Sequence, residues 1–366
     1  MSARQRDKAA LRQGFTTGSA AAAAAVAALE LLLRDVALDA ADIPLPPGGR
    51  LAVPVARVER EGGGVRARVV KDAGDDPDAT HGALIECLAE RAPGPPGQVE
   101  LLAGRGVGRV TLPGLPVAPG QPAINPAPRA QIVAAAREAA ARAGYAGALR
   151  LLIEVPDGEA LARRTLNPRL GIVGGISILG TQGVVKPFSH AAWLATIDAG
   201  LDVARAAGQA TAALSTGRRS ERLLMARLPE LPALCFVQAA DHFGHGTRRA
   251  ASGGFTTIVW GCFFGKLAKM AQGLESTHAH AAALDFALLT RLAREAGVDA
   301  QTARGMARAN TARHALDLAG DKRQDFARIV TRAALDAART FAGPGPRLGV
   351  CCFDFDETLL AEAYSA

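Results

Sequence analysis

The pattern of apolar and polar positions differs between the two halves of the chain. In the first half, Ala20 to Leu33 is an almost unbroken apolar run that predicts a buried helix, with Thr17 or Ser19 as its N-cap. Shorter apolar runs bounded by Gly, Pro and polar residues predict strands, and a second Ala-rich run predicts another helix. These predicted elements are strands at 53–58, 65–70, 83–88 and 99–102, and a helix at 130–143.

After about residue 148, short apolar runs alternate with helical stretches. Strands that alternate with helices pack as βαβ units around a parallel sheet. Because 366 residues exceed what one hydrophobic core usually spans, two domains of α+β and α/β class are expected. The predicted domains are an N-terminal α+β domain at 1–147, with acidic and Gly/Pro-rich loops, and a C-terminal α/β domain at 148–366, with a mostly parallel sheet flanked by helices.

Composition and charge narrow the classes of partner. The formal net charge is +7, yet Lys and Arg form no long run and are not interleaved with aromatic residues, so no nucleic-acid partner is expected. A small-molecule ligand with several carboxylates would explain the net positive charge as well as a nucleic acid would. The five cysteines form no CxxC pair, which favours a reduced, cytoplasmic compartment. No membrane partner is expected either, since Glu30 interrupts the longest apolar run.

Two polar segments of the first half carry candidate chemistry. Residues 14–19 open the first helix, and their hydroxyls and backbone N–H groups suit an anion, although ordinary N-capping explains them too. Residues 70–81 are rich in carboxylates, which could accept hydrogen bonds from pyrrole N–H groups, bind a divalent cation or act as bases. A solvated acidic turn would have the same composition. Crowded carboxylates repel, so at least one raised pKa is expected if the loop is buried. The four carboxylates of this loop are Asp72, Asp75, Asp76 and Asp78.

Two glycine-rich segments suggest ligand loops. Residues 104–129 contain a Gly-x-Gly-x-Gly run without the third glycine spacing or the following helix of a dinucleotide site. Their arginines suit carboxylate ligands, or are ordinary surface residues. Residues 171–187 place five glycines within thirteen residues of an apolar run, beside Ser177 and Thr181. Glycine lets a backbone approach a ligand closely, although close packing of a strand on a helix needs glycine as well.

Two segments of the second half follow predicted apolar strands. Ser215-Thr-Gly-Arg218 stands at the carboxyl end of a strand, where open α/β sheets gather ligands, or is a plain strand-to-helix turn. Lys266 and Lys269 are three residues apart and share a helix face. His278 suits acid–base chemistry or metal ligation, but an isolated histidine more often caps or packs, so no metal is expected.

Taken in chain order, these segments resemble the cobalt-precorrin-5B C1-methyltransferase family, usually called CbiD. The resemblance departs from the family pattern at Cys262-Phe263, where a Gly-His pair is expected, so any ligand contact there would be more apolar. The matching runs are Gly14-Phe-Thr-Thr-Gly-Ser19, Val70-Lys-Asp-Ala-Gly-Asp-Asp-Pro-Asp-Ala-Thr-His81, Pro122-Ala-Ile-Asn-Pro-Ala-Pro-Arg129, the glycine-rich run from Asn167 to Pro187, Ser215-Thr-Gly-Arg-Arg-Ser-Glu221, and Gly265-Lys-Leu-Ala-Lys269 with Thr277-His278.

The resemblance implies a reaction and a corrinoid small-molecule substrate. A methyl group would pass from the co-substrate S-adenosylmethionine to C1 of cobalt-precorrin-5B, giving cobalt-precorrin-6A in the anaerobic branch of cobalamin (vitamin B12) biosynthesis. Such a displacement depends above all on alignment. The assembly state stays open, with a homo-oligomer as one option.

The residues expected to act in this reaction fall into three groups. The expected catalytic residues are Asp72, Asp75 and His278. The residues expected to bind S-adenosylmethionine are Gly174, Gly175, Ser177, Gly180, Thr181, Thr216 and Gly217. The residues expected to bind the tetrapyrrole are Thr16, Thr17, Ser19, Lys71, Asp76, Asp78, Thr80, Asn125, Arg129, Lys186 and Lys266.

Two other functions stay open at this point. A nicotinamide-dependent oxidoreductase would also use a parallel sheet and a glycine-rich loop, with an acidic ribose-binding residue roughly 20 positions further on. Asp198 stands in that range but inside a predicted helix, which argues against this function. A non-catalytic tetrapyrrole carrier would bind the corrinoid without binding S-adenosylmethionine.

Overall fold

The chain folds into two compact units, Met1–His190 and Ala191–Ala366. The computed structural model describes residues 11–278 and 283–366. The first unit contains β1 (Gly14–Phe15), α1 (Thr17–Arg34), β2 (Ala40–Pro44), β3 (Arg50–Pro54), β4 (Arg57–Glu61), β5 (Gly64–Val70), β6 (Leu84–Ala92), β7 (Val99–Ala103), β8 (Gly106–Val107), β9 (Arg109–Val110), α2 (Pro126–Arg142), β10 (Ala148–Glu154), α3 (Gly158–Ala162), β11 (Ile172–Val173), β12 (Gly175–Ile176) and β13 (Val184–Val185).

The main sheet of the first unit has the strand order β4-β5-β6-β10-β7. Alternate residues of its strands point to opposite faces, as the period of a β-strand requires. Val65 and Ala67 of β5 are buried in the core, whereas Arg66 faces the other way and binds Glu86 and Glu154 at 2.9 and 2.7 Å. One face of the sheet is therefore apolar and the other carries ion pairs.

Helix α1 is the centre of the first unit's core. Its residues from Thr17 to Glu30 are buried, and it packs against β5, β6 and α2. Alanine side chains are small enough to let the helix approach the sheet and α2 closely, and a Cβ on Gly18 would come within 2.9 Å of Pro128. By length and composition α1 passes as a membrane span, but it is a core helix, as the sequence predicted.

The boundary between the units corrects the sequence prediction of 147/148. Strand β10 was assigned to the second domain, yet it pairs with β6 on one side and β7 on the other, inside the first sheet. Residues 167–185 also belong to the first unit, because β11, β12 and β13 pair with β9, β8 and β1. Its boundary therefore lies after His190.

The second unit confirms the expected α/β class. Apart from His190, which ends the first unit, it contains α4 (His190–Ala206), β14 (Thr211–Ser215), α5 (Arg218–Arg227), β15 (Phe236–Gln238), α6 (Phe243–Ser252), β16 (Thr257–Phe263), α7 (Phe264–Ala271), α8 (Phe286–Glu295), α9 (Ala300–Met306), α10 (Ala312–Leu318), α11 (Arg323–Ala342), β17 (Arg347–Phe353) and β18 (Leu359–Tyr364). The strand order is β15-β14-β16-β17-β18, in which only β18 runs antiparallel to its neighbour.

Helices cover both faces of this second sheet. Leu214 and Trp260 point into the larger core, which includes α4, α6, α7 and α11. Ala213 and Val259 point the other way, against Leu224 of α5. The chain passes from β14 to β15 on one side and then returns to β16 on the other side of β14. The strand order therefore reverses between β14 and β16, and such a reversal opens a crevice at the carboxyl ends of the two strands.

Candidate functional site

A cavity of about 550 Å³ lies at the carboxyl ends of β14 and β16, where the strand order of the second sheet reverses. This is the position at which doubly wound sheets bind their ligands. We call it the switch-point cavity. It is lined by Thr216, Gly217, Arg218, Arg219, Ser220, Phe263, Gly265, Lys266, Lys269, Thr277 and Phe355.

The turn from β14 into α5 forms one side of the switch-point cavity. Thr216 Oγ1 lies 3.2 Å from Ser220 Oγ, which also donates to the carbonyl oxygen of Gly217 at 3.0 Å. A Cβ on Gly217 or Gly265 would meet nothing within 4 Å, so both glycines border open space. Thr216 and Gly217, which the sequence predicts as ligand residues, thus line the switch-point cavity.

Two lysines of α7, Lys266 and Lys269, form a second side of the switch-point cavity. Lys266 Nζ forms an ion pair with Asp241 and donates to the carbonyl oxygen of Thr277 at 3.3 Å. Burial alone would raise the pKa of Asp241, but the Lys266 ammonium and the Thr277 hydroxyl hold it below its usual range. Lys269 Nζ donates to the carbonyl oxygen of His278 at 3.0 Å, so His278 lies next to the cavity without lining it.

Stacked aromatic rings close the third side. The rings of Phe263 and Phe355 lie 5.4 Å apart and nearly parallel, and the Arg219 guanidinium sits 5.2 Å from the Phe263 ring centre. A cation over an aromatic face is attracted by the ring quadrupole. The loop that carries Phe355 is anchored by buried Asp354, which pairs with Arg313 and with a second arginine, Arg323.

The hydroxyls at the start of α1 contact the glycine-rich segment of the same unit. Thr16 caps α1 by accepting from the backbone N–H of Ser19 at 3.2 Å. Thr17 Oγ1 lies 3.2 Å from the carbonyl oxygens of Ser177 and Leu179, and Ser19 Oγ donates to Gly183 O at 2.7 Å. The N-cap is therefore Thr16, not Thr17 or Ser19 as the sequence predicted. The hydroxyls of Thr17 and Ser19 bond to the glycine-rich segment instead, and all three residues are buried.

The glycines of residues 171–187 have mixed surroundings. A Cβ on Gly175 would stand 2.1 Å from the carbonyl oxygen of Gly106, and one on Gly180 would stand 2.5 Å from Thr16. Ser177 is buried and lies 3.4 Å from Asn167. Close packing therefore explains these three predicted ligand residues. Gly174 and Thr181, by contrast, are exposed, and a Cβ on Gly174 would meet nothing within 4 Å.

The first two carboxylates of the acidic loop, Asp72 and Asp75, accept hydrogen bonds from Arg12, which precedes α1. Asp72 accepts from Arg12 Nη2 at 3.0 Å, and the Arg12 guanidinium lowers the pKa of Asp72. Asp75 is exposed and accepts from the backbone N–H of Arg12 at 2.8 Å. Asp76 accepts from the backbone N–H of Phe188 at 2.9 Å. The expected acidic cluster exists, but Asp72 is held by a cation.

The last carboxylate of the loop belongs to a buried ion pair. Lys71 is 1% exposed, and its Nζ lies 2.6 Å from Asp78 Oδ2. Asp78 Oδ1 also accepts from the backbone N–H and the hydroxyl of Thr80, both at 2.7 Å. Burial would raise the pKa of Asp78, but these partners, Lys71 foremost, lower it. The pKa values of Asp72 and Asp78 are therefore lowered, not raised, because each carboxylate has a cationic partner.

The remaining predicted substrate residues of the first unit lie at the start of α2 and after β13. Asn125 precedes α2, its side chain makes no capping hydrogen bond, and its backbone N–H donates to Ile178 O at 3.0 Å. Arg129 lies in the first turn of α2 and is partly exposed. Lys186 is exposed directly after β13. The structure brings these residues to one unit, while Thr216, Gly217 and Lys266 belong to the other.

Sequence reasoning missed Asp241, Phe263 and Phe355 as parts of the second-unit site. Phe263 ends β16, Asp241 follows β15, and Phe355 follows β17. All three therefore stand at carboxyl ends of parallel strands, which was the signal that selected Thr216. To use this signal for all three residues one must know the order of the strands in the sheet, which a single sequence does not give.

The mostly parallel sheet and its switch-point cavity define the second unit as an α/β ligand-binding unit. Comparison with known proteins then gives the family. Residues 4–187 match the family model CbiD, and residues 276–364 match the model described as the CbiD C-terminal domain. The chain therefore belongs to the CbiD family.

Relatives that carry curated names agree with this placement. A cobalt-precorrin-5B C(1)-methyltransferase of Nitratidesulfovibrio vulgaris is 53% identical over 98% of this chain and 95% of its own length. The enzyme of the same name from Thermus thermophilus is 43% identical over 96% of this chain and 94% of its own. A crystal structure of a cobalamin biosynthesis protein (cbiD) from Archaeoglobus fulgidus is 30% identical, with a TM-score of 0.40, covering 72% of this chain and 80% of its own.

The resemblance identified from the ordered motifs is thereby confirmed. The names of the curated relatives and the family also agree with the expected enzyme class, methyltransferase, and with cobalamin biosynthesis.

Proposed function

We propose that this chain transfers a methyl group from S-adenosylmethionine to C1 of cobalt-precorrin-5B, giving cobalt-precorrin-6A in the anaerobic branch of cobalamin biosynthesis. The observation that carries the proposal is 53% identity over 98% of the chain to a relative named for this reaction. The net charge of +7 supports a substrate with several carboxylates.

The exposed part of the glycine-rich segment fits a ligand. S-adenosylmethionine, when bound, supplies an electrophilic methyl group, and the protein's task is to hold donor and acceptor in line. Gly174, with a φ of 79°, borders open space, so the backbone here can lie against a ligand. We therefore retain Gly174 and Thr181 as donor-binding residues of the first unit.

The tetrapyrrole has candidate contacts at the start of α2. The side-chain amide of Asn125, which makes no capping hydrogen bond to α2, and the Arg129 guanidinium suit the carboxylates and carbonyls of a corrinoid periphery. Lys186 adds an exposed positive charge after β13. Asp76 and Asp78, by contrast, already accept hydrogen bonds from the chain and act through the shape of the acidic loop.

Among the candidate acid–base groups, we favour Asp75. It is exposed, whereas the carboxylate of Asp72 is paired with Arg12, which lowers its pKa and weakens it as a proton acceptor. We expect Asp75→Asn to lower kcat by about 100-fold, the lower end of what an acid–base group contributes. The matched control is Asp39→Asn, an exposed carboxylate of the same unit outside the acidic loop. Equal kcat values for the two variants would remove Asp75 from the mechanism.

His278 remains a second acid–base candidate. Its position beside Lys269 at the edge of the switch-point cavity supports a role in the second unit. A His278→Gln variant tests it through the pH profile of kcat/KM. Loss of the acidic limb of that profile would support a titrating His278, and an unchanged profile would exclude it.

The structure weakens the nicotinamide alternative. Asp198, the acidic residue at the expected distance, lies within α4, where its carboxylate is 2.8 Å from His245 Nε2 and 3.5 Å from Arg249. A ribose-binding carboxylate should instead follow the next strand. The other alternative, a non-catalytic tetrapyrrole carrier, would be excluded by the measurement of methyl transfer.

Calorimetry and turnover together test the proposed function. Separate titrations with S-adenosylmethionine, a nicotinamide dinucleotide and a corrinoid distinguish the three functions, and mass spectrometry of the corrinoid reports transfer. We expect binding of S-adenosylmethionine and the corrinoid, and a mass gain of one CH2 unit. If S-adenosylmethionine does not bind, with or without corrinoid, the proposal fails.

A further inference from the structure

The charge of the switch-point cavity is one-sided. Among the described residues that line it, Arg218, Arg219, Lys266 and Lys269 are cationic and none is a carboxylate. Hydroxyls and two phenyl rings form the rest of the wall apart from glycines. A concave surface lined by one sign of charge concentrates ligands of the opposite sign.

Nearby carboxylates offset only part of this charge. Asp241 pairs with Lys266, and Glu357 accepts from Arg219 Nε at 3.2 Å. Lys269 donates to a neutral carbonyl oxygen, that of His278. Burial and the neighbouring Lys266 charge lower the pKa of Lys269. The two ammonium groups thus repel each other while Asp241 attracts both, and an anion in the cavity would add to that attraction.

Two helices begin at the wall of the cavity. The N-cap positions of α5 and α7 are Gly217 and Phe263, and neither makes a side-chain capping hydrogen bond. Uncapped first-turn N–H groups carry partial positive charge and favour anions. Gly217 and Gly265 leave open space beside these N–H groups. Lysine charge, helix starts and open space therefore point to the same kind of ligand.

The methyl donor fits this cavity poorly. S-adenosylmethionine carries a sulfonium and an ammonium against a single carboxylate, so its net charge is positive. No carboxylate among the described lining residues is available for its ammonium or its ribose hydroxyls. A tetrapyrrole with several carboxylate side chains has the complementary charge.

We propose that the switch-point cavity binds carboxylate side chains of the tetrapyrrole substrate, with Lys269 and Arg218 as principal contacts. The inference rests on the proposed function and reassigns Thr216 and Gly217 from the methyl donor to the tetrapyrrole. Arg218 and Lys269 offer charge-assisted hydrogen bonds to carboxylates, which are among the stronger polar contacts in proteins. Phe355, which is 55% exposed, adds an apolar surface for the macrocycle edge.

Binding of a polycarboxylate porphyrin to the full chain tests the inference without turnover. We expect Lys269→Met and Arg218→Gln each to weaken porphyrin binding by about 10-fold, as loss of one charge-assisted contact does. The matched control is Arg332→Gln, which removes an equal charge from an exposed position of α11. Unchanged porphyrin affinity in both cavity variants would overturn the inference.

Steady-state kinetics separates this inference from the proposed function. We expect the KM for cobalt-precorrin-5B to rise about 10-fold in the cavity variants, while the KM for S-adenosylmethionine changes less than about two-fold. The reverse pattern would place the donor in the cavity and overturn the inference while leaving the methyltransferase intact. Failure of the unaltered protein to transfer methyl would instead refute the proposed function, and porphyrin binding would still decide the cavity's ligand.

Discussion

Replacing Lys71 by Met tests how the acidic loop is held. The ammonium of Lys71 is buried at 1% exposure, 2.6 Å from an Asp78 carboxylate that is itself 27% exposed. Removing one partner of a buried ion pair typically costs about 3–5 kcal/mol, because the other charge stays unpaired. Asp78 retains two hydrogen bonds from Thr80 and some solvent, so we expect about 2–3 kcal/mol for Lys71→Met.

Urea unfolding measures this cost, and the position of the tryptophans localises it. Both tryptophans, Trp193 and Trp260, lie in the second unit, so their fluorescence follows that unit, while circular dichroism follows both. We expect the variant to shift the dichroism transition to lower urea without shifting the fluorescence transition. The matched control is Arg163→Met, a 78% exposed cation of the first unit, which should cost less than about 0.5 kcal/mol.

A double variant completes this test. Lys71→Met combined with Asp78→Asn leaves no unpaired charge, so we expect it to recover at least about half of the loss. The reasoning is refuted if Lys71→Met costs no more than Arg163→Met, or if the double variant is as unstable as the sum of its single variants.

Three further predictions concern the first unit. Thr17→Val, which removes the hydroxyl between α1 and Leu179, should lower stability by about 1–3 kcal/mol in thermal unfolding, and an unchanged Tm would contradict this. Gly175→Ala forces a Cβ against the Gly106 carbonyl and should cost at least about 1–3 kcal/mol, measured by urea unfolding; no loss would disprove the close approach. Because the pKa of Asp78 is lowered from 3.8, its stabilisation is present above that pH and is lost as pH falls through the lower folded pKa. Acid unfolding of Asp78→Asn should therefore be less steep, and an identical profile would contradict the shift.

Local sequence patterns predicted the helices and strands of this fold better than they predicted which strands pair with each other. The Ala-rich run at 20–33 became the buried part of α1, and the apolar runs near 211–214 and 348–353 became β14 and β17. Each signal lies within one short segment. The apolar run from Leu151 to Val155 predicts a strand as well, and it overlaps β10. Its sheet was not predicted, because pairing with β6 and β7 depends on residues far away in the chain.

The candidate site shows the same limit. Glycine density at 171–187 favoured a ligand loop over close packing, yet the structure gives Gly175 and Gly180 a packing role. The decisive neighbours, Gly106 and Thr16, are distant in sequence. Likewise, an acidic run predicts crowded carboxylates, but not the cation that each one meets. Arg12 lowers the pKa of Asp72, and Lys71 lowers the pKa of Asp78, where burial alone would raise both.

Nuclear magnetic resonance of the product tests the central claim most directly. The full chain is incubated with cobalt-precorrin-5B and S-adenosylmethionine whose methyl group carries an isotope label, and the corrinoid is then isolated. The account predicts one labelled methyl group, bonded to ring carbon C1, together with S-adenosylhomocysteine in equal amount. A label on another ring position, or an unlabelled corrinoid from protein that binds both substrates, would contradict it.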